Sequence, residues 1–148
     1  MKQQREGGFL IARVHQLSGR ILARKLKEFK VDEINPAQGR ILFALWQEDG
    51  IPIQELAKKT SLGKSTLTSM LDRLKEIGHV SRVPSGDDRR KILIMLTEKN
   101  KSLRDVYDQV SEEMTELFYH GFAEDEIGIF EGALRRILGN LEQDGTTE

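Results

Sequence analysis

The chain has 148 residues, 38% of them hydrophobic and 32% charged, with no cysteine and a net charge of −1. That length fits one domain with a real core plus a helical appendage, and the lack of cysteine excludes disulfides, zinc ribbons, thiol nucleophiles and cysteine-based redox sensing. The longest unbroken apolar run, Ile41–Trp46, spans six residues, far below the ~20 needed to cross a bilayer. The opening MKQQREGG places polar groups where a secretory signal carries apolar ones, so a cytoplasmic protein is expected.

Charge is unevenly spread. Residues 58–92 hold nine Lys or Arg against four acids, a local balance of +5 that leaves −6 for the remainder. A basic middle between acidic flanks marks one segment for a polyanion.

In chain order, Phe9–Phe29 carries Leu10, Val14, Leu17 and Ile21 at helical spacing and needs a partner for that stripe. Asn35-Pro36-Ala37-Gln38 reads as a helix start, with a capping box and a proline at the first helical position. The second helix carries Ile41, Leu42, Leu45 and Trp46 and ends near Asp49-Gly50. A short helix from Ile53 to Lys59, a turn at Thr60–Gly63 and a helix with Leu67, Leu71, Leu74 and Ile77 make a helix-turn-helix. Gly78 closes it. Val80–Val83, the turn Pro84–Asp88 and Ile92–Leu96 then read as a hairpin, a wing on the helix-turn-helix. Thr97 opens a long helix to about Phe122, ~39 Å at ~1.5 Å per residue. A last helix carries Ile127, Phe130, Leu134, Ile137, Leu138 and Leu141, and 143–148 forms a polar tail. The apolar stripes of the terminal helices serve either dimerisation or an ordinary intramolecular core.

With Leu67, Met70, Leu71, Leu74 and Ile77 buried, the opposite face of the second helix of the motif holds Ser65, Thr68, Ser69 and Asp72, with Lys64, Thr66 and Arg73 beside them. Short hydroxyls bond phosphates or base edges and the cations neutralise phosphate, which suits a major groove better than a merely solvated face. Asp87-Asp88-Arg89-Arg90-Lys91 sits at the hairpin tip, where an arginine can enter a minor groove. Asp88, two residues before Arg90, is expected to orient that arginine.

These elements, with Glu55-Leu56-Ala57, Ser65-Thr66-Leu67-Thr68, Leu71-Asp72-Arg73-Leu74, Gly78-His79-Val80-Ser81-Arg82 and Asp88-Arg89-Arg90 ending in Leu96-Thr97, resemble the multiple antibiotic resistance regulator (MarR) family over nearly the whole chain. The resemblance implies a mainly α fold with a small β-wing. In it, a winged helix-turn-helix at 32–97 is flanked by dimerisation helices at 1–31 and 98–142. It implies a homodimeric transcriptional regulator, usually a repressor, that binds a pseudo-palindromic double-stranded DNA operator. Groove reading falls to Lys64, Ser65, Thr66, Thr68, Ser69 and Arg73, the wing pair to Asp88 and Arg90, and Arg89 is a second wing candidate. A small aromatic or phenolic effector is implied where the terminal helices meet the winged domain; His15, Phe43 and Trp46 fall there, with core packing expected of both aromatics.

The chain departs from the family pattern at Pro52-Ile53 and Ala123, where capping hydroxyls are usual; each change weakens a cap by ~1 kcal/mol. It departs again at His79, read as a surface histidine. Gly63-Lys64-Ser65 lacks the earlier glycine and the strand of a phosphate-binding loop. No nucleophile-elbow signature occurs, so no enzyme activity and no cofactor are expected. An interaction module without its own operator, and a metal-responsive regulator using His15 and His120, are the alternative readings.

Overall fold

A computed structural model describes residues 2–31 and 33–144. Most of the polar tail expected at 143–148 therefore lies outside the described residues. The first helix, α1 (Gly7–Glu28), buries only Leu26 among its own residues. The stripe that demanded a partner is uncovered, with Leu10, Val14 and Leu17 close to half exposed.

α2 (Pro36–Gln47) starts as its sequence dictates. Asn35 Oδ1 accepts the Gln38 N–H at 2.8 Å and Gln38 Oε1 accepts the Asn35 N–H at 3.0 Å, satisfying two donors that a helix end leaves free. Its Ile41, Leu42 and Leu45 form the centre of the core. Beyond the helix, Gly50 turns at φ +69°, and a Cβ there would stand 2.9 Å from Met95 Sδ. Asp49 Oδ1 receives N–H groups from Gly50 and from Leu96, both at 2.9 Å.

That turn feeds a strand the sequence reading did not contain, β1 (Ile51–Pro52), which pairs antiparallel with the strand β3 (Ile92–Leu96) at Ile51↔Ile94 and Pro52↔Leu93. Two residues give no periodic signal, and an edge position tolerates the missing proline N–H. The helix-turn-helix follows as α3 (Ile53–Thr60) and α4 (Lys64–Glu76), with Ser61 in the left-handed region between them. Leu56, Leu67, Leu71 and Leu74 are fully buried, while Met70 and Ile77 are partly so. The wing is β2 (Val80–Pro84) against β3 (Ile92–Leu96), in register Val80↔Leu96 to Pro84↔Ile92, and the sheet order is β1-β3-β2.

The single long helix expected from Thr97 to Phe122 is instead broken into α5 (Glu98–Lys101) and α6 (Arg104–Phe118). Thr97 does cap the first piece, its hydroxyl accepting the Asn100 N–H at 3.2 Å. The break falls where the Ser102 hydroxyl donates to the Lys99 carbonyl at 2.6 Å and the Leu103 N–H tightens onto Asn100 O, a local hydrogen bond that competes with the helical ladder.

α7 (Glu124–Glu142) is joined to α6 by an aromatic cluster, Phe118, Tyr119, Phe122 and Phe130, with ring centroids 5.0–6.5 Å apart. Tyr119 Oη donates to Glu131 at 2.7 Å, and the hydroxyl's loss of water holds its pKa up at about 12. Glu126 accepts the Ala123 N–H at 2.9 Å, so half of a capping box survives where no hydroxyl stands. α7 buries none of its own side chains fully. No helix among the described residues is long and apolar enough to cross a membrane.

Candidate nucleic-acid interface

α4 presents Lys64, Ser65, Thr66, Ser69 and Arg73 to solvent. Its buried leucines fix the rotation of the helix, so the polar face is a consequence of the core and not of the hydroxyls themselves. Thr68 is half-buried and its hydroxyl donates to Lys64 O at 2.8 Å, leaving only its acceptor side for another group. Asp72, expected on the reading face, is engaged elsewhere. The Arg82 guanidinium on β2 donates to its carboxylate at 2.6 Å. The pair joins the wing to α4 and neutralises an anion on the face that the sequence reading assigned to DNA. Sequence periodicity placed Asp72 correctly on its face but had no means of supplying a partner ten residues away.

At the wing tip the expected pairing is present. Asp88 Oδ1 accepts the Arg90 backbone N–H at 3.0 Å and its Nε–H at 3.4 Å, while the Arg90 side chain remains 93% exposed. Arg89 and Lys91 are also exposed. The turn is closed by Ser85 N–H to Lys91 O and Lys91 N–H to Asp88 O. The Asp88 carboxylate therefore holds Arg90, which explains one of the two acids in this cationic loop.

His79 is not the surface histidine that was expected; it has no solvent exposure. Gly78, at φ +85°, permits a terminal turn in which Gly78 N–H bonds Lys75 O and His79 N–H bonds Leu74 O, the usual way a helix end satisfies its carbonyls. That turn drives the imidazole inward, where Nε2 lies 2.6 Å from Glu33 Oε1. The hydrogen bond from His79, helped by Lys99, holds the Glu33 carboxyl below its ordinary 4.5 against the opposing effect of burial. A depressed carboxyl stabilises the fold above its unfolded-state pKa, and that stability is lost as pH falls through the folded value. Stability is therefore expected to fall on acidification below about pH 4.5, and Glu33→Gln should flatten this limb in melts taken from about pH 6 to 3. Parallel acid limbs in the two proteins would remove Glu33 from the account.

A cavity of about 530 Å³ opens among α1, α2 and α6, with His15, Leu22, Phe43, Trp46, Arg104 and Tyr107 in its wall. Phe43 is 61% exposed and so is not the core residue expected; Trp46 packs against the core but its Nε1 is buried without a partner, as is Tyr107 Oη. The Arg104 guanidinium lies 5.1 Å from the Trp46 ring centroid. Arg104 and Tyr107 escaped the sequence reading because they were seen as two positions of one long helix. Among the described residues no three His, Asp or Glu side chains gather as a metal site.

Comparison with known proteins agrees with this geometry. The MarR family profile matches residues 34–92. The HTH-type transcriptional regulator TtmR of Methylorubrum extorquens is 36% identical over 76 residues, which is 51% of this chain but only 39% of that protein. The multiple antibiotic resistance protein MarR of Escherichia coli is 30% identical over 132 residues, covering 88% of this chain and 90% of its own length. The crystal structure of a mutant MarR from E. coli complexed with operator DNA matches at a TM-score of 0.75 and 30% identity, over 88% of this chain and 92% of that one. With the winged helix-turn-helix in place and a relative matched almost end to end, the chain belongs to the MarR family.

Proposed function

We propose that this chain is a homodimeric, sequence-specific DNA-binding regulator of transcription in the cytoplasm, acting as a ligand-responsive repressor. The observation that carries the reading is the pairing of an exposed hydroxyl-rich and cationic face on α4 with a wing tip whose Arg90 is 93% exposed and aimed by Asp88. Lys64, Ser65, Thr66, Thr68, Ser69 and Arg73 contact one major groove, and Asp88, Arg89 and Arg90 serve the flanking minor groove. A dimer places two such units about one turn of DNA, ~10 base pairs, apart on a pseudo-palindrome. The E. coli relative, solved in complex with operator DNA, supports operator binding by this fold.

Dimerisation is supported by the uncovered apolar faces of α1 and α7, where Phe9, Ile129 and Leu141 are 64–72% exposed; so much apolar surface on a regulator calls for a second copy. The cavity supports a small aromatic or phenolic effector. Its aromatic walls and the Arg104 cation answer a ring bearing a carboxylate or phenol. Such a ligand acts only by binding one spacing of the recognition helices better than another.

The test is binding to the DNA upstream of its own gene across a salt series. A regulator of this kind loses affinity steeply as salt rises and prefers that DNA over random sequence. Weak binding indifferent to salt and sequence would instead leave an interaction module.

A further inference from the structure

Between the recognition helix and the wing stands one arginine, Arg82 of β2. Val80 on the same strand is buried, and Arg82, two residues on and so on the same face of the sheet, turns toward α4. Its side chain is 28% exposed, while that of Asp72 on α4 is 60% exposed. Arg82 Nη2 donates to Asp72 Oδ1 at 2.6 Å. That contact uses one of the five N–H donors a guanidinium carries. Among the described residues Nε and Nη1 donate to no acceptor, and neither is a buried donor without a partner. Both are open to solvent.

What these donors can meet follows from how the two elements sit on DNA. With α4 in a major groove and the hairpin tip in the flanking minor groove, one sugar–phosphate strand separates the two. The tip closes where Ser85 N–H bonds Lys91 O at 2.9 Å. From Ser85 back to Arg82 is three residues, about 10 Å of strand. A minor groove is only ~6 Å wide, so a tip seated inside it leaves Arg82 outside, at the wall nearest α4. That wall is phosphate. Asp72 shares the face of α4 with Ser65, Thr68 and Ser69, where a bare carboxylate would repel the same strand. Paired with Arg82 it instead fixes the guanidinium, as Asp88 holds Arg90 at the tip. The planar fork of an arginine can serve a carboxylate on one edge and a phosphate on another.

We propose that Arg82 is a further DNA-binding residue, oriented by Asp72 to grip a phosphate of the strand between the two grooves. A phosphate contact carries no base information, so Arg82 supplies affinity and fixes the register of α4 and wing together, while the choice of bases stays with α4. This rests on the DNA-binding reading above and adds to it a residue outside both the recognition helix and the wing tip.

The experiment measures affinity for upstream DNA and for a random duplex of equal length across a salt series, for wild type, Arg82→Gln and Asp72→Asn, with melting temperatures alongside. Either substitution breaks the Arg82–Asp72 ion pair, but only the first removes the cation. Arg82→Gln should lose at least about tenfold in affinity for both duplexes, as expected of a hydrogen bond to a charged group. Its slope of log affinity against log salt should fall by about one per subunit. Asp72→Asn should keep the slope and bind within about fivefold of wild type or tighter, the most that an exposed ion pair is worth. Were the pair only a staple between wing and α4, the two variants would weaken binding alike with the slope unchanged. That result would overturn the proposal, as would an Arg82→Gln that binds like wild type. Should Arg82→Gln melt too early to be read, Arg82→Lys carries the test. It keeps the charge but not the fork, so the slope should stay while affinity falls by the same factor on both duplexes, and a slope lost with the lysine in place would refute the contact. A wild type that binds the random duplex without preferring upstream DNA removes the sequence-specific regulator and leaves Arg82 to be decided on the random duplex. A wild type that binds neither overturns both readings.

Discussion

Replacing Leu138 and Leu141 together with glutamate should convert the protein to a monomer and abolish operator binding. Both side chains lie on α7, 48% and 64% exposed in the single chain, so neither holds the winged domain together. In a dimer they would be covered. Losing the burial of two leucines costs ~1.5–3 kcal/mol each, and forcing two carboxylates into an apolar seam adds several more. A shift of this size moves the dimer equilibrium by more than ~10³-fold. Operator affinity follows, because two linked half-site contacts exceed one by ~10²–10⁴. Sedimentation velocity and DNA binding read the two effects. Helical circular dichroism should persist, since Leu42, Leu45, Leu56, Leu67, Leu71 and Ile94 form a separate core within each chain. A double variant that sediments as a dimer would place the interface elsewhere.

Arg90→Ala should weaken operator binding by ~1–3 kcal/mol and reduce the slope of affinity against salt by about one ion. The melting temperature should barely move. Arg90 is 93% exposed and its Nε lies 3.4 Å from Asp88, an exposed pair worth at most ~1 kcal/mol. The contrast separates a contact made to DNA from one made to the fold. Matched affinity for Arg90→Ala and wild type at one salt concentration would remove the wing from the interface and leave recognition to α4 alone.

Much of this site was legible in the sequence because it is local. Leucines at 67, 71 and 74 fix which face of α4 is buried, and hence which residues remain outside. Asn35 and Gln38 close their capping box within one turn, and Asp88 reaches Arg90 across two residues. Each of these needs only the geometry of a helix or a tight turn, so the pattern and its outcome lie in the same few residues. The same is true of the break at Ser102-Leu103, where the cue, a serine bonding back to Lys99, was present but weaker than the apolar period running through it.

What the sequence determined by itself was therefore the order of helices and wing, apart from β1 and the break at Ser102-Leu103, the buried faces of α2 and α4, and the exposed face of α4 that carries the proposed DNA-reading residues. Only the tertiary structure decided that His79 is buried on Glu33, 46 residues away, that Asp49 anchors the end of β3, 47 residues away, and that Asp72 answers to Arg82. It also gathered His15, Trp46, Arg104 and Tyr107 around one cavity. The reason is physical. A period of about 3.6 or 2 residues specifies which side of an element turns inward, but a polar side chain's partner depends on which other elements arrive there, and that is set by the packing of the whole core.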